Sequence, residues 1–192
     1  WSREKTVVLK NDIDMSGKAV APIGTSGTPF TGTFDGNGKT ISNAKIAEGG
    51  LFGHVGKGAV IKNVTFDNTE YTLKKWQRTV LLGNFVKGAT LQNITVNITS
   101  YGVALDDAGA PFVEQGLFAG RYFQSNTVEN VTFNVAGFDV YRLISRVSSG
   151  NTYSNVKIYA DSYQTIGDSD DHDTAISELP VGMEFISTKS DK

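Results

Sequence analysis

One short stretch recurs along this chain and limits what it can fold into. It runs Gly50-Leu51-Phe52-Gly53, then a Gly/Lys-rich step, then Val60-Ile61-Lys62-Asn63-Val64-Thr65-Phe66. The second half returns as Leu91-Gln92-Asn93-Ile94-Thr95-Val96, as Val128-Glu129-Asn130-Val131-Thr132-Phe133 and, more loosely, as Tyr153-Ser154-Asn155-Val156-Lys157-Ile158. An earlier relative is Ile41-Ser42-Asn43-Ala44-Lys45-Ile46. The first half returns as Leu81-Leu82-Gly83, Gly116-Leu117-Phe118 and Arg142-Leu143-Ile144. Phe52 to Asn63, Leu82 to Asn93 and Ile144 to Asn155 are each eleven residues, and Phe118 to Asn130 is twelve. Constant spacing within a unit and variable spacing between units is the pattern of a solenoid whose coils carry insertions on one side.

Within the repeated strand, apolar and polar residues alternate. Val64 and Phe66, Ile94, Val96 and Ile98, Val131, Phe133 and Val135, and Val156 and Ile158 fall on one face. Thr65, Asp67, Thr95, Asn97, Thr132, Asn134, Lys157 and Tyr159 fall on the other. That alternation suits strands with one face in a core. Stacking like strands about 4.8 Å apart would align like residues in ladders. Asn43, Asn63, Asn93, Asn130 and Asn155 would form one such ladder at a corner, where Asn tolerates the left-handed backbone and bonds nearby main-chain groups. Three of them, Asn63, Asn93 and Asn130, also match the glycosylation sequon. The Asn persists at Asn155, where Lys157 removes the sequon, so a structural role accounts for it better than a sugar does. The fold expected is all-β: a parallel β-helix of about five coils, with loop insertions on one side and a capped C-terminal end.

Upstream, Phe30-Thr31-Gly32-Thr33-Phe34-Asp35-Gly36-Asn37-Gly38-Lys39-Thr40-Ile41 carries Asp-Gly and Asn-Gly, which mark a tight turn between strands. Together with Gly-Leu-Phe-Gly and Ile-Lys-Asn-Val, this run resembles the GLUG-type repeat of large bacterial secreted and surface proteins. The upstream Asn11-Asp12-Ile13-Asp14-Met15 and Pro22-Ile23-Gly24 resemble the lead-in common in such proteins. The close match covers residues 6–66. The tetrapeptide is intact at residues 50–53, while Gly116-Leu117-Phe118-Ala119 and Val80-Leu81-Leu82-Gly83 each lose one glycine. The resemblance implies a right-handed β-helix and an extracellular bacterial setting, at the cell surface or secreted. It implies no activity, because the repeat is architectural.

The 192 residues read as a single domain cut from a longer modular protein. Residues 6–66 are the best-matching repeats, 67–173 the degenerate coils with insertions, and 174–192 a cap and linker, with a short turn or helix over 174–186. A short helix over residues 1–5 would cap the other end. The net charge of −2 implies no broad basic surface for nucleic acid or anionic lipid. No apolar run is long enough to span a membrane, so no insertion is expected. The absence of cysteine excludes a disulfide framework and thiol catalysis.

The chain lacks the signatures of catalysis. His54 and His172 are its only histidines, and neither stands near a matched Ser and Asp. His54 follows Phe52-Gly53 and is placed on the outer face of a coil. No Cys/His metal spacing, phosphate loop or nucleophile elbow occurs. A small polysaccharide lyase is the weaker alternative, since it would use clustered Asp and a base on a longer solenoid. Asp168, Asp170, Asp171 and Asp173 are the candidate cation ligands, and calcium is the cation such carboxylates would take. The better candidate is a glycan site in the loops between coils. Tyr71, Trp76, Tyr101, Phe112, Tyr122 and Tyr141 supply rings for the apolar faces of sugars. Lys75, Arg78, Asp106 and Asp107 supply bonds to hydroxyl or acidic groups. The expected function is a non-catalytic, extracellular glycan-binding domain, monomeric within its longer chain, with a polysaccharide or host glycan as partner. The alternative is a structural or protein-binding stalk of an adhesin.

Overall fold

The computed structural model describes residues 4–16, 18, 21–46, 50–72, 82–102, 107, 116–117, 119–144, 148–165, 167–168 and 175–189; for residues 72, 119–121, 167–168 and 175 the backbone alone is described. Among the described residues there is no helix. The strands are β1 (Thr6–Val8), β2 (Ile13–Asp14), β3 (Thr33–Ser42), β4 (Lys45–Ile46), β5 (His54–Val55), β6 (Val60–Thr72), β7 (Gly83–Lys87), β8 (Thr90–Gly102), β9 (Ala119–Gln124), β10 (Thr127–Arg142), β11 (Thr152–Thr165), β12 (Gly167–Asp168), β13 (Ala175–Ile176) and β14 (Met183–Ser187). The large sheet runs β1-β3-β6-β8-β10-β11-β14, with β2 beside β3 and β4 beside β6, and all its pairings are parallel. A second parallel sheet, β5-β7-β9, forms another wall. The chain is a parallel β-solenoid of about five turns.

Register explains the core. Phe34, Ile61, Leu91 and Val128 stand one above another. So do Val64, Ile94, Val131, Val156 and Met183. Phe66, Val96, Phe133 and Ile158 form a third column. All three columns are buried. Burial of apolar area is non-directional, but the parallel register makes each side chain pack on its own kind in the next coil.

The strands turn at asparagine corners. Asn63, Asn93, Asn130 and Asn155 all have φ between 50° and 54°. Each amide donates along the axis: Asn155 to Asn130 at 2.9 Å, Asn130 to Asn93 at 3.1 Å, and Asn93 to Asn63 at 2.9 Å. Asn63 donates in turn to the Asp35 carboxylate at 3.1 Å. Asn43, expected in this ladder, stands instead at a second corner. There it donates to Asp14 at 2.8 Å and accepts from Asn68, which accepts from the Thr99 hydroxyl at 2.8 Å. The cause is the Asp-Gly-Asn-Gly segment. It is no hairpin turn: β3 pairs in parallel on both sides of it, and the register jumps from Asp35↔Lys62 to Lys39↔Val64. Residues 36–38 therefore fill the first corner opposite the single Asn63, and Asn43 is pushed on to the next. A third ladder, on the outer face, runs from Asn134 through Asn97 to Asp67. Each ladder ends on an aspartate. When every amide donates in one direction, the last carbonyl position is best filled by a group that only accepts, and a carboxylate is that group.

The end of the solenoid differs from expectation. Residues 174–186 were expected to form a turn or helix over the last coil. Instead Ala175–Ile176 pairs antiparallel with Gly167–Asp168, and β14 adds another parallel strand beside β11. Met183 continues the core column, so the segment extends the sheet. At the other end, residues 1–3 of the expected N-terminal helix lie outside the described residues.

The first ladder's terminus carries a pH dependence. Partial burial pushes Asp35 up, but the backbone N–H of Asn37, the Asn63 amide and Lys62 outweigh it and hold the carboxyl below its usual value. A carboxylate with a lowered folded pKa contributes stability that is complete above its unfolded value near 4 and is lost as pH falls through the folded one. Denaturant titrations from pH 6 down to about 2 are expected to show the wild type losing stability below about pH 4. Asp35→Asn is expected to be less stable at pH 6 and to lose less on acidification.

Candidate functional site

The glycine motif builds the wall that carries the site. A Cβ on Gly53 would lie 2.5 Å from the Gly24 carbonyl oxygen, and one on Gly83 would lie 2.5 Å from that of Phe52. Leu51, Phe52 and Leu82 point into the core. The motif is thus two inward anchors followed by a residue without a side chain, where successive coils touch backbone to backbone. Directly after it the chain enters the short sheet, where His54, Phe85 and Tyr122 face outward while Val55, Val86 and Phe123 point into the core.

Three rings stack on that outer face. His54 pairs with Phe85, and Phe85 with Tyr122. The His54 and Phe85 rings lie 4.4 Å apart and 12° from parallel; Phe85 and Tyr122 follow at 5.3 Å and 32°. All three are partly exposed. Beside His54 a shallow groove of about 370 Å³ opens between Pro22, Gly24, Thr25, Ser26 and Asn84. The Thr25 and Thr28 hydroxyls are bonded at 2.8 Å, and the Thr28 N–H donates to Thr25 Oγ1 at 3.2 Å, which holds this rim in one shape. Partial burial pulls His54 below the usual imidazole value, which favours the neutral ring. The site therefore offers aromatic surface, hydroxyls and an amide, with no formal charge on the groove's lining residues.

The chain has no match among family models, curated proteins or solved structures.

The residues expected at the site fare unequally. Tyr122 was expected, and it stands in the exposed stack. Tyr71 was expected on a loop; it lies on β6, wholly buried, with its hydroxyl donating to the Gly116 carbonyl at 2.9 Å. Its ring is packed against Tyr101 at 5.3 Å and 5°. Tyr101, on β8, is partly buried against the core, and burial pushes its hydroxyl up to about 12. These two rings belong to the solenoid interior, because the strands continue past the second corner where loops were expected. Tyr141 is partly buried on β10, with the Arg142 guanidinium 5.2 Å from its ring centroid. Asp107 is exposed. Lys75, Trp76, Arg78, Asp106 and Phe112 lie outside the described residues, as do Asp170, Asp171 and Asp173. Asp168 is described in its backbone alone, paired with Ala175. Among the described residues no three His, Asp or Glu side chains come together as a metal site needs, and no helix is long and apolar enough to cross a membrane.

Sequence reasoning missed Phe85 and treated His54 singly. The signal was faint. His54 comes two residues after the motif's inward Phe52, Phe85 three after Leu82, and Tyr122 four after Phe118. The widening offset hides the register; part of it is a bulge, since Gly83↔Ala119 becomes Phe85↔Tyr122.

Proposed function

We propose that this is a non-catalytic glycan-binding domain, a GLUG-type module of a secreted or surface-exposed bacterial protein, with its site on the outer wall of the short sheet. The observation that carries this reading is the partly exposed His54–Phe85–Tyr122 stack running into the groove at Thr25 and Asn84. Sugar rings present C–H faces to aromatic surface and hydroxyls to nearby polar groups. Binding sites commonly combine a mostly apolar lining with a few convergent polar groups. A rigid β-scaffold holds such groups with little ordering cost on binding. The insertions that carry Trp76, Lys75, Arg78 and Phe112 would extend the ligand surface, and calcium held by Asp168, Asp170, Asp171 and Asp173 would order the last of them.

The test is a glycan array on the purified domain, with and without calcium, repeated on His54→Ala and Trp76→Ala. Binding to a defined glycan that falls about tenfold in His54→Ala, equivalent to about 1.4 kcal/mol, is the expected result. Loss in Trp76→Ala alone would move the site to the insertions. An array without any bound glycan would sink the proposal.

A second reading, a structural or protein-binding stalk, draws on Tyr71 and Tyr101. Their stacked rings are spent on sealing the solenoid, which is the use a stalk would make of them.

A further inference from the structure

The stack ends at His54, and the way it ends defines a space. Phe85 covers one face of the imidazole. On the opposite side lies the preceding coil, whose backbone meets β5 directly: His54 N–H donates to Gly24 at 3.3 Å, and Phe30 N–H donates to the His54 carbonyl at 2.8 Å. Between Gly24, with φ 84°, and Phe30, that coil carries the segment 25–29 opposite His54, beginning with Thr25 and Ser26. The groove of about 370 Å³ opens beside His54 and Gly53, between Pro22, Gly24, Thr25 and Ser26 of that coil and Asn84 of the next.

Resting on the glycan-binding reading above, we infer that this groove takes the terminal ring of an uncharged glycan, held against His54. Three features select that ligand. The volume is near the lower end of small-molecule sites, which run from about 300 to 1,000 Å³, so it suits one ring or two and not a long chain segment. The groove has no Lys, Arg, Asp or Glu in its lining. A carboxylated or sulfated sugar would lose hydration there and gain no cation in return, whereas a neutral one loses little. The polar groups at the rim are the Thr25 and Ser26 hydroxyls and the Asn84 amide, each able to donate and to accept as sugar hydroxyls do. Gly53 sets the depth of the site, because any side chain there would collide with the Gly24 carbonyl.

The test is an amide NMR titration of the whole domain. The probes are neutral tetrasaccharides of glucose, mannose and xylose, set against tetragalacturonate and a chondroitin sulfate tetrasaccharide. The expected result is a neutral probe that shifts the Gly53, His54 and Asn84 amides and binds no better as a tetrasaccharide than as its disaccharide. His54→Ala should weaken it tenfold or more, while His54→Phe, which keeps a ring in the stack, should retain it. Unchanged thermal melting of both variants shows that the fold is kept. Binding of acidic probes alone, or shifts elsewhere that ignore His54→Ala, would overturn the inference and leave the glycan-binding reading standing. Affinity that climbs with every added sugar would overturn the terminal-ring assignment. No shift with any glycan would overturn both.

Discussion

Phe133→Ala should cost about 4 kcal/mol of folding stability, within the 3–5 kcal/mol span of buried Phe truncations. Phe133 is wholly buried on β10 in the middle of the solenoid. Val96 lies below it and Ile158 above, at the same position of their coils. Both neighbours are held in strand register by backbone hydrogen bonds on either side. The wall cannot fold inward to fill the space, so most of the cavity should persist, and the persistence of the cavity sets the cost. Chemical denaturation should show a lower midpoint with an unchanged slope. A loss below about 1 kcal/mol would mean that the coil collapses around the truncation and that the columns are softer than their register implies.

The second large effect is expected at Asn126. This side chain is buried, with its carbonyl accepting from Ala89 N–H at 2.9 Å. Its amide donates to the Val86 carbonyl at 3.0 Å and to Asn151 Oδ1 at 3.1 Å. Asn151 repeats the pattern, donating to the Phe123 carbonyl at 2.7 Å and the Ser148 carbonyl at 2.8 Å. These two amides satisfy main-chain groups at a turn where parallel strand pairing is interrupted. Asn126→Ala leaves the Ala89 N–H and the Val86 carbonyl buried without this partner, and each such group costs about 1–3 kcal/mol. We expect a loss of about 3 kcal/mol. Asn126→Asp should be at least as harmful, because it turns a carboxylate oxygen toward the Val86 carbonyl. Comparing the two by denaturant titration separates lost bonds from added repulsion; near-wild-type stability in either would show that water replaces the amide.

Much of this architecture was legible in the chain. Ile94, Val96 and Ile98 alternate with polar neighbours, and period two admits only a strand with one buried face. Asn63, Asn93, Asn130 and Asn155 recur at one place in the unit, and Asn is among the few residues that accept a left-handed corner. Asn126 and Asn151 were also within reach, since each stands four residues before a corner Asn. Asn43 was not. Ile-Ser-Asn-Ala looks like Ile-Lys-Asn-Val, and local likeness cannot show that three residues at 36–38 have already filled the first corner. Tyr71 and Tyr101 failed for a related reason: beyond the second corner the alternation fades, and a strand without alternation reads as a loop.

The sequence by itself thus determined the class of fold, the inward faces and the corners. Each of these rests on a local rule, side-chain direction along a strand or the conformational tolerance of one residue. The tertiary structure alone decided which rings seal the solenoid and which meet solvent. His54, Phe85 and Tyr122 are separated by tens of residues and by unequal offsets, and only the axial stacking of coils sets them face to face. The groove beside His54 is a property of that stacking too. It is lined by Pro22, Gly53 and Asn84 from three successive coils, a juxtaposition that local chain rules do not contain.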